Sequence, residues 1–326
     1  MDGVKIFDIK AQLTERRQKL EEAVTSGRKD NELVNLLKDV DQALDRLANG
    51  TYGICEVCHD PIEENLLAAD PLITFCIDHL SPSQQKALEE DLKLAREMQL
   101  SLLPQKELEL GRWQTNYHYA PAGAVSGDYI GIQKLEERNG EFLFLLGDVT
   151  GKGVAASMLM SQMHATFRTL GNLGMQPAEL LKRANRLFCE STLYSHFMTL
   201  VLGVAHDNGT IEICNAGHCL PVVINGENLT TVNSNSLPIG LFCNLEFSFS
   251  QIKMNPGDTL LLYTDGLSEA EKEGDEYGAD RISELLLRSR SMKPKDIISN
   301  YLADIRAFTG TNESRDDTTI LLIRRN

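Results

Sequence analysis

Residues 1–49 alternate charged and aliphatic positions with a helical period. Leu33, Leu37, Val40, Leu44 and Leu47 recur at spacings of four and three, which gathers them on one stripe. Ile6, Ile9, Leu13 and Leu20 form a looser stripe in the preceding segment, interrupted by Arg16. The polar run Thr25-Ser26-Gly27-Arg28-Lys29-Asp30 separates the two, with Asp30 placed as an N-cap. This pattern predicts a helical hairpin, too short to bury much alone and therefore suited to pack on a partner or a second copy. A third helix is expected from Ser81-Pro82-Ser83-Gln84, with Ser at the N-cap, Pro at N1 and Gln at N3. It carries Leu88, Leu92, Ala95, Met98 and Leu102 and should stop before Pro104. With no Gly/Ser-rich run, it reads as a rigid connector.

From about residue 106 the period shortens. Trp113–Ala120, Glu141–Leu146, Met198–Ala205, Thr210–Cys214, Pro221–Ile224, Thr259–Tyr263 and Thr318–Ile323 read as strands separated by Gly, Asn and Asp. Helices are expected from near Val154, carrying Leu159, Met163, Phe167 and Leu170, and over Pro177–Thr192, Arg281–Ser289 and Pro294–Phe308. Serial strands with helices inserted in pairs predict an α+β fold of antiparallel sheets covered by helices. The expected organisation is a hairpin and loop-rich unit over residues 1–80, a connecting helix over 81–105 and a second domain over 106–326.

Composition narrows the class. The 326 residues are 42% hydrophobic and 24% charged, a globular profile, and no stretch is apolar for the length of a membrane span. The first residues, MDGVKIFDIKAQ, lack the build of a signal peptide, so a cytoplasmic protein without membrane attachment is expected. A net charge of −15 argues against direct binding to nucleic-acid phosphates.

Of seven cysteines, Cys189, Cys214, Cys219 and Cys243 are scattered through apolar or loop contexts, whereas Cys55, Cys58 and Cys76 crowd together. Cys55-x2-Cys58-x17-Cys76-x2-His79 supplies two chelating pairs, and thiolates with an imidazole in a closed set fit structural zinc. A unit with so few large apolar groups would draw much of its folding free energy from the metal. His59, next to Cys58, reads as a bystander. The run Gly50-Thr-Tyr-Gly-Ile-Cys-Glu-Val-Cys, with Pro61-Ile, Leu67-Ala-Ala-Asp-Pro and Cys76, resembles the DksA/TraR-type zinc finger. That family also carries a helical hairpin ahead of its finger, and its members bind RNA polymerase. This chain departs from it in placing His79 at the usual fourth cysteine, and Asn65 and Leu66 where an arginine usually precedes the Leu-x-Ala stretch.

The second domain pairs Asp with Gly or another Asp at predicted strand ends. The clusters are Ser126-Gly127-Asp128-Tyr129, Gly147-Asp148-Val149-Thr150-Gly151-Lys152-Gly153, Tyr263-Thr264-Asp265-Gly266 and Ser314-Arg315-Asp316-Asp317-Thr318. One Asp-Gly is an ordinary turn. Four clusters flanking apolar strands are a different matter, because sheets fix the direction of the carboxylates and such oxygens select Mg2+ or Mn2+. The second cluster is not a nucleotide-binding loop, since three residues rather than four separate Gly147 from Gly151 and Gly153 follows Lys152.

The ordered set resembles the PPM-type protein phosphatases of the SpoIIE/RsbU branch. The resemblance adds Asn215-Ala-Gly-His-Cys-Leu-Pro, Leu237-Pro-Ile-Gly, Tyr277-Gly, Asp316-Asp-Thr-Thr and the entering helix Ala95-x2-Met98-Gln99-x3-Leu103-Pro104. It implies an α-β-β-α sandwich of two stacked antiparallel sheets and a two-metal site at one edge. Asp148 would bridge both ions, Asp128 would serve one, and the Val149 carbonyl with Asp265 and Asp316 the other; these four aspartates would be the catalytic set. Gly131 stands where the family often has an acid. His218 could act as a general acid or belong to a strand-to-strand turn. No arginine beside the motifs is an obvious phosphate clamp, which would leave phosphate binding to the metals.

The reading is then a Mn2+- or Mg2+-dependent serine/threonine protein phosphatase regulated by its zinc-finger region. A phosphorylated STAS-type anti-sigma-factor antagonist would be its substrate class. The apolar stripes of the hairpin and the connector suit a homodimer. The rival reading is a non-catalytic adaptor that binds RNA polymerase through the finger.

Overall fold

The computed structural model describes residues 3–25, 31–79, 82–135, 140–192, 196–311 and 314–326. The chain divides into two compact units, Met1–Asp91 and Leu92–Asn326.

In the first unit, helices α1 (Gly3–Thr25) and α2 (Asn31–Asn49) pack as the hairpin expected from their stripes. Leu13, Leu20, Val40 and Ala43 are buried between them, flanked by Ile9, Leu33, Leu37, Leu44 and Leu47. Arg17 Nε reaches Asp41 at 2.6 Å across the pair. The caps expected at Asp30 and Ser81 lie outside the described residues. Past the hairpin comes a loop-rich segment that holds the short helix α3 (Glu64–Ala69). A small core of Cys55, Ile62, Leu66, Leu67 and Cys76 forms there, and Leu88 of helix α4 (Pro82–Leu102) packs on it.

α4 crosses the boundary between units and ends before Pro104, as the proline requires. Its apolar stripe differs from expectation at one turn. Met98 is 60% exposed while the neighbouring Gln99 is 4% exposed. The reason is polar: Gln99 Nε2 donates to the Ser126 carbonyl at 2.7 Å and its Oε1 accepts from Ser126 N at 3.0 Å. With both functions paired, the amide can be buried without the usual penalty.

The second unit contains two antiparallel sheets. One is ordered β1 (Glu107–Leu110), β2 (Trp113–Ala120), β13 (Thr318–Arg325), β10 (Thr259–Tyr263), β7 (Val222–Asn225), β8 (Asn228–Thr231). The other is ordered β3 (Asp128–Lys134), β4 (Phe142–Val149), β5 (Met198–Ala205), β6 (Thr210–Ala216), β9 (Ser250–Lys253). A two-stranded ribbon, β11 (Glu271–Lys272) and β12 (Asp275–Glu276), stands apart.

Strand alternation builds three layers of core. Phe142, Phe144 and Leu146 of β4 meet Leu260, Leu262, Leu321 and Ile323 between the sheets. Their neighbours Leu143 and Leu145 face the other way, under α5 (Gly153–Gly171) and α6 (Pro177–Ser191). Leu261, Tyr263, Ile320 and Leu322 cover the opposite outer face with α8 (Ala279–Arg288) and α9 (Pro294–Thr309). Strands buried on both faces read as unbroken apolar runs, which is why FLFLL and ILLI stand out in the sequence. The result is the α-β-β-α sandwich. Among the described residues, no helix is long and apolar enough to cross a membrane.

Candidate active site

One end of the sandwich collects the aspartates. β3 pairs with β4 so that Asp128 lies directly opposite Asp148. In the other sheet, Asp265 opens the short helix α7 (Asp265–Ser268) just after β10, and Asp316 lies two residues before β13. β10 and β13 are antiparallel partners, so the end of one and the start of the other coincide. Four residues far apart in sequence thus share one end.

Hydrogen bonds tie the two sheets together at this point. Asp128 is 1% exposed, and its Oδ2 accepts from Thr264 Oγ1 at 2.9 Å and Thr319 Oγ1 at 2.5 Å. Asp317 holds the loop ahead of β3, accepting from Ala122 N at 2.8 Å and Gly127 N at 2.9 Å. Neither threonine nor this role of Asp317 is apparent from the sequence. The signal is present in the same clusters, as the residue before Asp265 and those after Asp316, but pairing them with Asp128 needs the fold.

Burial and mutual repulsion dominate the electrostatics of the site. Burial, and then the charges of Asp265, Asp316 and Asp317, push the Asp148 carboxyl from 3.8 up to about 7, with Lys152 opposing. Burial and the Asp148 charge hold Asp128 well above the usual carboxylate range, against the hydrogen bonds from Thr319 and Thr264. Burial and Asp316 raise Asp265 as well. Lys152 Nζ reaches Asp316 Oδ2 at 2.8 Å. Arg315, next in sequence, is turned instead to Glu271 at 2.7 Å.

The donor set fits hard cations. A side chain at Gly127 would put its Cβ 3.0 Å from the Val149 carbonyl oxygen and 3.1 Å from Asp148 Oδ1. Glycine therefore keeps open a hollow into which a carboxylate and a carbonyl oxygen both look. Oxygen donors in excess of positive charge suit Mg2+ or Mn2+ rather than zinc.

His218 sits apart from this hollow in character. It is 7% exposed, its Nδ1 lies 2.9 Å from Thr199 Oγ1, and burial pushes its pKa down to about 4. The Asn215 side chain accepts from His218 N at 2.8 Å and donates to its carbonyl at 3.2 Å, closing the turn after β6. The backbone of His218 is thus held in a turn, while Thr199, which its ring meets, lies opposite Asp148 in the register of β4 and β5.

The first unit holds the second candidate site. Ligand atoms of Cys55, Cys58, Cys76 and His79 all lie within 4.8 Å of one another. His79 Nδ1 is 3.1 Å from Cys76 Sγ, and Cys58 Sγ is 3.7 Å from Cys76 Sγ. Burial raises the Cys55 thiol, but backbone N–H groups of Cys58, Cys76 and Val57 outweigh it and bring the group down to about 6. Against a backbone hydrogen bond at Asp60, burial and the Cys55 and Cys76 side chains push the neighbouring Cys58 thiol up to about 11, so the pair shares one negative charge. His59 instead turns its Nδ1 to the Cys55 carbonyl at 3.3 Å.

Residues 138–326, more than half of the chain, match the family described as Stage II sporulation protein E (SpoIIE). The chain belongs to the SpoIIE family. Residues 50–78 match the prokaryotic dksA/traR C4-type zinc finger. Protein IcfG of Synechocystis is 28% identical over 72% of this chain and 42% of its own length. Phosphoserine phosphatase RsbP of Bacillus subtilis is 28% identical over 55% of this chain and 45% of its own. The chain thus spans under half the length of both relatives. The SiaA-PP2C domain of Pseudomonas aeruginosa superimposes with a TM-score of 0.66, at 20% identity, over 76% of this chain and all of that one, which establishes the fold.

Gly131 stands where the resemblance leads us to expect an acid. A Cβ there would lie 2.5 Å from Tyr129 Oη and 3.1 Å from Leu145 Cδ1. The Tyr129 side chain fills the space an acid would need.

Proposed function

We propose that this chain is a divalent-cation-dependent phosphatase acting on phosphoserine or phosphothreonine in a regulatory protein. One observation carries the reading: strand register sets Asp128 opposite Asp148 at the sandwich end that also receives Asp265 and Asp316. Asp128, Asp148, the Val149 carbonyl, Asp265 and Asp316 would hold two Mn2+ or Mg2+ ions, with Asp148 shared between them. When bound, such ions supply the charge that acidifies a water and offsets the phosphoryl oxygens. The protein's part is to fix the carboxylates before substrate arrives. Thr264 and Thr319 orient Asp128. Asp317 pins the loop that carries Gly127, so the hollow stays open. No serine or cysteine nucleophile is required.

The resemblance to the SpoIIE/RsbU branch supports a phosphorylated STAS-type anti-sigma-factor antagonist as substrate. Zinc on Cys55, Cys58, Cys76 and His79 would be structural, and the first unit would regulate the second. The adaptor reading expects no need for an intact aspartate set, and all four are in place.

The test is release of phosphate by the full chain from a phosphoserine peptide, with Mn2+ and with chelator. Asp148→Asn should reduce turnover by about a thousandfold or more. Undiminished hydrolysis by that variant would exclude this site as the catalytic one.

A further inference from the structure

No arginine beside the motifs is an obvious phosphate clamp, and Arg315, next to Asp316, points to Glu271 rather than to any of the four aspartates. The structure supplies a different cation. We propose that Lys152 is the phosphate-binding residue of this site, resting on Asp316 until substrate draws it away. The proposal rests on the phosphatase reading of the same aspartates.

Three observations support it. Lys152 is the cation in hydrogen-bond contact with the aspartate set among the described residues, at 2.8 Å from Asp316. Its side chain is 69% exposed, and an exposed ion pair is weak enough to exchange readily. The backbone on either side is glycine in the left-handed region, Gly151 at φ +100° and Gly153 at +73°. A Cβ added at either glycine would meet nothing within 4 Å. Lys152 therefore stands between two glycines with open space around them.

Position and chemistry agree. Lys152 is the N-cap residue of α5, a helix of 19 residues with no acid in its first turn and no side-chain cap. An oxyanion approaching Lys152 would also meet the positive end of the helix dipole. Lysine serves phosphate as a compact charge with three donors on a long stem, well suited to moving between two acceptors. Asp316 is the acceptor that this ammonium meets first, at 2.8 Å. A phosphoryl group held at the same aspartate end would offer the ammonium a second acceptor and draw it off Asp316.

The measurement uses the full chain and two variants, Lys152→Met and Lys152→Arg. With a phosphoserine peptide, Lys152→Met should raise KM by about tenfold, the effect of one charged hydrogen bond, and Lys152→Arg should restore part of it. Inorganic phosphate binding to the Mn2+-loaded protein, read by calorimetry, should weaken to the same degree. Mn2+ affinity in Lys152→Met should be equal to wild type or tighter, because a competitor for Asp316 is gone. Unchanged KM and phosphate affinity would overturn the proposal, as would a loss of Mn2+ affinity, which would make Lys152 a support for Asp316 instead. If the wild type hydrolyses nothing, the phosphatase reading fails, and the phosphate calorimetry still decides the role of Lys152.

Discussion

Asp128 enters the site with one oxygen committed, since both threonine hydroxyls converge on Oδ2. This orients the carboxylate along a single direction before any ion binds, and it spreads the charge of a group buried to 1% exposure. Thr319→Val keeps the shape of the side chain and removes one donor. Its expected outcome is a Mn2+ affinity lower by about tenfold, read by titration, with the fold intact. An unchanged affinity would mean that the hydroxyl orients nothing. The four aspartates themselves are legible in the sequence because each sits beside glycine or another aspartate at the end of an apolar run. Thr264 and Thr319 are not. Neither has a pattern of its own, and each acquires meaning only when β10 and β13 are laid beside β3. Lys152 is visible in its motif, but the motif alone raises only the question of a nucleotide loop.

Elements are legible where both faces are buried. Trp113–Ala120, Met198–Ala205 and Thr259–Tyr263 coincide with β2, β5 and β10. β3 escapes the sequence pattern, although it places Asp128, because Gly131 breaks the apolar run and its end is polar. The edge strands β1, β8 and β9 have four residues each, with mostly exposed side chains, too little for any period to register. On α4 the apolar stripe misleads at Met98, because a paired amide rather than a hydrocarbon fills the buried position. Gln99→Leu would leave the Ser126 N–H and carbonyl without partners. The expected cost to the Leu92–Asn326 unit is about 1–3 kcal/mol, measured by denaturant unfolding. A variant as stable as wild type would show that water replaces the amide.

Across the whole molecule the aspartate end is a store of unfavourable charge. Asp128, Asp148 and Asp265 all titrate above their ordinary range in the cation-free protein. The folded state therefore binds more protons than the unfolded chain in the window between 3.8 and about 7, the values for Asp148. The stability these groups contribute is complete below that window and is lost as pH rises through it. In chelator, the melting temperature of the protein should fall between pH 5 and pH 8, and saturating Mn2+ should cancel the fall. A melting temperature in chelator that rises over that range would contradict the assignment. The two sheets contribute two aspartates each, Asp128 and Asp148 from one and Asp265 and Asp316 from the other, so their repulsion acts across the seam between layers. Cations would therefore act as a clasp on one end of the sandwich. Amide hydrogen exchange at the start of β3 and of β13 should slow when Mn2+ is added, while exchange at the opposite end stays the same. Ion supply in the cell would then govern how often that end breathes, and so how long the protein survives proteases, quite apart from any phosphate it removes.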